Sequence, residues 1–199
     1  MNSDRIKKMR LPMEIKQLEL SFKDHGIKCS TLQQTPDNYD NMEVVMPGPK
    51  GSPYEDGIFR ISVNCGDQYP FRPPTFKFVT PVFHPNIDSS GKICLDLLRM
   101  PPTGTYNPAI TLESILLSIQ LLLANPNPDD PLQGDAADLY KSNNNLFNKK
   151  ARETVLKYCK NVKICENDVS SDTSTDFHKE GTSSKDDKGP KRLKLSCLK

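Results

Sequence analysis

YPFRPPTFKFVTPVFHPNIDSSGKICLDLL, residues 69 to 98, joins a strand-like run to a tract of turn-forming residues that ends in a cysteine between apolar neighbours. In TFKFVT (75 to 80) apolar and polar side chains alternate with the period of a half-buried strand. Toward the N-terminus three more runs have that character: IKCSTL (27 to 32), EVVMP (43 to 47) and IFRISVN (58 to 64). Turn-rich pieces, GPKGSP (48 to 53) and YPFRPP (69 to 74), separate the later ones. Such spacing predicts a four-stranded antiparallel meander. Ahead of it, MEIKQLELSFKD (13 to 24) puts Ile15, Leu18 and Phe22 on one side of a helix, with Gly26 as its stop. Pro12 suits a first helical turn, so residues 1 to 12 are expected to be a flexible extension. On the C-terminal side, 81 to 110 is rich in Pro, Gly, Asn and Asp and reads as a long ordered loop, a length usually kept for function. Helices are predicted at 111 to 124, with Thr111 as N-cap, near 135 to 142, and at 144 to 161. The class is α+β.

Composition narrows the function. A chain of 199 residues can bury one ordinary core. Its net charge of +2 gives no footing for direct nucleic-acid binding. The N-terminus lacks an apolar signal region, and the longest apolar stretch, 115 to 124, is broken by Ser118 and Gln120, so no membrane role is expected. Six cysteines, at 29, 65, 94, 159, 165 and 197, show no regular spacing and should be free thiols. After about residue 165 the chain changes character. Residues 166 to 187 carry seven acidic and two basic side chains, and 188 to 199 carry five basic and no acidic ones. A disordered tail, 163 to 199, is expected, leaving 13 to 162 as the folded domain. Within the tail, KGPKRLK (Lys188 to Lys194) reads either as a nuclear-import signal or as a solvated charge run.

The helix at 111 to 124 sorts its residues cleanly. At about 100° per residue, Leu112, Ile115, Leu116, Ile119, Leu122 and Leu123 share one arc of about 120°. Leu117 and Leu121 fall on the opposite, polar side. Either a neighbouring segment covers them or they meet a partner.

Three chemistries compete for Cys94. A cysteine hydrolase needs a histidine base, and of His25, His84 and His178 only His84 is near in sequence, with no hydrolase signature around it. Zinc held by Cys159, Cys165 and His178 fits no usual ligand spacing, so no metal site is expected. Acyl carriage is the third: exchange between a thiol and a thioester is nearly balanced in energy and needs access more than a base.

The stretch quoted above, with SPYEDGIFRISV (52 to 63) before it and NPAITLESILLSIQLLLANPNPDDPL (107 to 132) after it, closely resembles the ubiquitin-conjugating enzymes over about residues 13 to 160. The resemblance implies an N-terminal helix, the meander, a long active-site loop, a crossover helix and two C-terminal helices. It implies a reaction in which an activating enzyme, using ATP, loads ubiquitin onto Cys94 as a thioester, after which ubiquitin passes to a substrate lysine. No cofactor would bind this chain directly. By position, Asn86 matches an asparagine that supports the loop and stabilises the oxyanion. His84 matches a loop buttress, and Asp130 a gate residue that positions the lysine and suppresses its pKa. Leu117 and Leu121 lie on the helix against which carried ubiquitin folds, and Pro70, Phe71, Pro108 and Ala109 match loops gripped by RING-type ligases.

LDLLRMPPTGTYNPAI (95 to 110) holds a short insertion, Pro101 to Gly104, similar to the T subtype of that family, which implies monoubiquitination in the Fanconi anaemia pathway of DNA crosslink repair, in the nucleus. Tyr106 stands where the family usually has tryptophan. Conjugation of another ubiquitin-like modifier, general protein turnover, and an inactive binding scaffold remain open at this point.

Overall fold

The computed structural model describes residues 3–31 and 39–159. The chain divides into two units, Met1–Lys163 and Ile164–Lys199. The second unit, with the expected tail, its basic cluster, Cys165, His178 and Cys197, lies outside the described residues, as do Leu32 and the predicted helix end at 160 and 161.

The first unit runs α1 (Ser3–His25), β1 (Lys28–Thr31), β2 (Asn41–Pro47), β3 (Ile58–Asn64), β4 (Thr75–Phe78), α2 (Leu112–Ala124), α3 (Gly134–Ser142) and α4 (Asn144–Tyr158). The strands pair in sequence order, all antiparallel, with Val44 opposite Ile61 and Ile61 opposite Phe78. That register follows from the alternation, because a slip of one residue would expose every inward side chain. Met42, Val44 and Met46 of β2, Phe59, Ile61 and Val63 of β3, and Phe76 and Phe78 of β4 are buried. They join Ile115, Leu116 and Ile119 of α2 and Phe147, Ala151 and Val155 of α4 in one cluster. On the other face Arg60 makes a bidentate pair with Glu43, at 2.8 and 2.6 Å.

The N-terminus corrects the expectation of a flexible extension. Helix α1 starts at Ser3 and runs through Pro12. An interior proline lacks the N–H for the helical bond and costs about 3 kcal/mol, so tertiary contacts must hold the first turns. Leu11 is fully buried. Lys7 is buried too, with its ammonium 2.7 Å from Asp40 and donating to the Cys65 carbonyl. Arg10 pairs with Glu14 and donates to the carbonyls of Pro108 and Ile110. Gly26, at φ +67°, stops the helix as expected, while the side chain of Phe22 lies outside the described residues.

Glu14 is a carboxylate on the buried face. It accepts from the Tyr69 hydroxyl, at 2.9 and 2.8 Å, and from the Leu112 N–H at 2.8 Å. Its charge thus sits on the N-terminus of α2, where the helix dipole favours an anion, and Thr111 caps the same end by accepting from the Ser114 N–H.

Candidate active site

The loop from 81 to 110 is ordered by its own bonds. Asp88 accepts from the N–H groups of Ser90 and Lys92 and from the Ser90 hydroxyl. Bridges pair Lys77 with Lys92 and Ile87 with Ile93. Ile93 points inward, so in this extended segment the next residue, Cys94, points outward and is half-exposed. Cys29, Cys65 and Cys159 are also free thiols.

Each residue of the tripeptide His84-Pro85-Asn86 holds a different point of the 122–133 segment. His84 is fully buried; its Nδ1 accepts from the Asn86 N–H, so its Nε2–H donates to the Leu122 carbonyl near the end of α2, at 3.0 Å. Burial pushes its pKa down to about 4. A neutral, doubly bonded imidazole braces the loop and is no general base. The Pro85 carbonyl accepts from the N–H groups of Leu132 and Gln133. The Asn86 carboxamide donates to the carbonyls of Asn127, at 2.7 Å, and Asp130, at 3.1 Å, and accepts from the Asn127 N–H at 2.8 Å. Its backbone carbonyl receives the Cys94 N–H. Both amide hydrogens being engaged, none is left for an oxyanion. In this arrangement Asn86 positions Asp130 opposite Cys94, and an oxyanion role would require one of these bonds to be exchanged.

The thiol Sγ lies 3.1 Å from Asp130 Oδ2. Burial first, and then the bond to Asp130, push its pKa up to about 11, while the Arg99 cation works against them. Asp130 is exposed, and its bonds from Arg99 and Cys94 hold its pKa below the usual carboxylate range. An ionised carboxylate attracts an ammonium but raises its pKa. Asp130 can therefore gather a lysine, but its charge does not suppress the lysine's pKa as expected from the sequence.

The two leucines separate. Leu121 is 63% exposed, whereas Leu117 is half-buried against the core, so the stripe is one open leucine beside one that is partly covered. Leu122, placed on the core arc, is only partly buried. The ligase-loop residues also divide: Phe71, Pro108 and Ala109 are exposed, but Pro70 is buried and its carbonyl accepts from the Tyr106 hydroxyl at 2.7 Å. Tyr106 thus links the two loops through a polar tip. Beside Ala109, Met9 and Met13 of α1 are 66% and 73% exposed and line the same groove, and of the two only Met9 falls in the residues 1 to 12 expected to be flexible. Arg99 was missed in the sequence: its Nη2 lies 2.7 Å from both Cys94 Sγ and Asp130 Oδ2.

The site is thus a half-exposed thiol facing a carboxylate, with His84 neutral and locked in the loop. The family model described as "Ubiquitin-conjugating enzyme" matches residues 10–155. The chain belongs to the ubiquitin-conjugating enzyme family. It is 44% identical to "Ubiquitin-conjugating enzyme E2 T" of Xenopus laevis over 133 residues, 67% of this chain and 68% of that one. To the protein of the same name in Homo sapiens it is 43% identical over 135 residues, 68% and 67% of the two chains. Among solved structures, the E2 domain of a Toxoplasma gondii ubiquitin-conjugating enzyme matches with a TM-score of 0.68 and 33% identity, over 77% of this chain and 99% of that one. A Plasmodium yoelii structure titled as a putative ubiquitin conjugating enzyme gives 0.66 and 38%, over 76% and 94%. This ubiquitin-conjugating enzyme is thus close to the E2 T proteins, and its partners include ubiquitin, an activating enzyme and a ligase.

Proposed function

We propose that Cys94 is the residue that carries ubiquitin. An activating enzyme, which consumes the ATP, delivers ubiquitin as a thioester, and thiol exchange moves it to the Cys94 sulfur. Asp130 then draws in the ammonium of a substrate lysine. Once its ammonium has lost a proton to solvent, the lysine nitrogen attacks the thioester carbonyl: the C–N bond forms, the C–S bond breaks with its electron pair leaving on the Cys94 sulfur, and the nitrogen's second proton goes to solvent or to that sulfur. The observation that carries this reading is the half-exposed Sγ 3.1 Å from the Asp130 carboxylate, without a basic histidine in contact among the described residues.

A RING-type ligase would seat on Phe71, Pro108 and Ala109 with Met9 and Met13, and carried ubiquitin would fold against α2 at Leu121, with the edge of Leu117 beneath. Likeness to E2 T supports monoubiquitination in nuclear DNA crosslink repair, with no direct nucleic-acid contact by this chain. The test is incubation with activating enzyme, ATP and ubiquitin, read on a non-reducing gel. A reductant-sensitive adduct should form on the full chain and vanish in Cys94→Ala. An adduct surviving that substitution refutes the assignment, and charging by another ubiquitin-like modifier in place of ubiquitin refutes the choice of cargo.

A further inference from the structure

Arg99 has no part in the roles above, yet its guanidinium is closer to the thiol than Asp130 is. One nitrogen, Nη2, touches both Cys94 Sγ and Asp130 Oδ2 at 2.7 Å, with Asp96 Oδ1 at 3.6 Å. The guanidinium thus stands beside the sulfur and on the carboxylate.

That placement is held by the backbone. The Arg99 N–H donates to the Asp96 carbonyl, which also receives the Thr105 N–H, and the Arg99 carbonyl accepts from the Tyr106 N–H. Between these bonds the insertion, Pro101 to Gly104, turns back so that the Gly104 N–H reaches the Met100 carbonyl. A Cβ on Gly104 would strike the Cβ and the carbonyl oxygen of Arg99. The insertion is thus packed on the arginine's own backbone.

We propose that Arg99 is a placeholder for the acceptor lysine: it occupies the amine's position between Cys94 and Asp130 and so holds down transfer to any lysine that does not displace it. A guanidinium suits this task because it stays protonated and offers no lone pair to the thioester. It excludes amines without becoming the acceptor. The proposal rests on the roles given above to Cys94 and Asp130, and the charging gel tests those separately: without a thioester on Cys94 those roles fail, whereas Arg99 is judged only on protein that has charged.

The experiment uses the full chain with Arg99→Gln, charged with ubiquitin and then mixed with free lysine or with hydroxylamine, whose amine is already neutral at neutral pH. The arginine side chain is about one-third exposed, at 37%, so the variant should fold. Removing an exposed ion pair of this kind should raise the second-order rate of discharge to lysine about two- to fivefold. The hydroxylamine rate should change by less than half as much, because that nucleophile needs no carboxylate. Equal acceleration of both nucleophiles would overturn the proposal, since Arg99 would then simply shield the sulfur. So would an unchanged or slower reaction with lysine. If slowing came with an upward shift of the pH profile, Arg99 would be helping to deprotonate the lysine.

Discussion

Asn86→Ala separates a brace from an oxyanion donor. The carboxamide makes three hydrogen bonds to the 127–130 turn and is buried. At about 1 kcal/mol net for each bond, its loss should cost about 3 kcal/mol. For a chain of this size that is a fall in Tm of about 6 to 12 °C. The kinetic effect is bounded by what the turn delivers, which is Asp130. An exposed carboxylate attracting an ammonium contributes at most about 1 kcal/mol, or about fivefold in rate. If Asn86 acts by holding Asp130, then Asn86→Ala should slow discharge to lysine by no more than Asp130→Ala does, and the double variant should match Asp130→Ala alone. A direct oxyanion donor behaves differently: its removal costs on the order of 10² to 10³ in rate, multiplying the Asp130 effect. Single-turnover discharge of the pre-charged enzyme to free lysine, run well below the melting temperature of each variant, reads this out. A loss beyond about thirtyfold in Asn86→Ala, carried in full into the double variant, would refute the bracing argument.

Alkylation of Cys94 by iodoacetamide should quicken about tenfold per pH unit and level off near pH 11, the value to which the thiol is pushed; in Asp130→Ala the midpoint should move down, and a midpoint left in place would show that the carboxylate does not hold the thiol. His84, neutral when folded with a pKa of about 4 against 6.5 when unfolded, contributes stability that is present above pH 6.5 and lost as pH falls toward 4, because the unfolded chain takes up the proton first. Between pH 7.5 and 5 this loss should be about 2 kcal/mol by denaturant titration, and His84→Gln should lack it. Leu121→Arg should leave charging and thermal stability unchanged but slow ligase-stimulated discharge, whereas Leu117→Arg should lower Tm as well, since that side chain packs on the core. Equal destabilisation by both would show that Leu121 is covered.

The sequence made legible what rests on local pattern. Alternation in IFRISVN and TFKF sets the strands, and Gly26 and Thr111 mark helix ends through backbone geometry and capping that act within a few residues. What escaped depends on contacts distant along the chain. Pro12 reads as a helix start unless Lys7 is known to meet Asp40 and Arg10 the 108–110 loop. Glu14 left a trace, as a carboxylate between Leu11 and Leu18 on the apolar face, but its partners Tyr69 and Leu112 are 55 and 98 residues away. In the site, the role of Cys94 was legible through the family resemblance of the stretch around it, the residues alone leaving acyl carriage as one of three chemistries. That of Arg99 was not, because a charge five residues after a thiol points anywhere until the 96–106 loop is folded.

The bridge between Ile87 and Ile93 gives the active loop a parity. Even and odd positions in an extended segment face opposite ways, so the thiol is outside because it is one step from an isoleucine that is inside. Adding or deleting a single residue in the turn, between Asp88 and Lys92, would leave the chain the same choices of side but assign them to different residues: sulfur to the core, isoleucine to the surface. Two residues added there would restore the pattern. Length changes in this turn should therefore be tolerated in pairs, and the odd ones should abolish charging while the rest of the domain still folds.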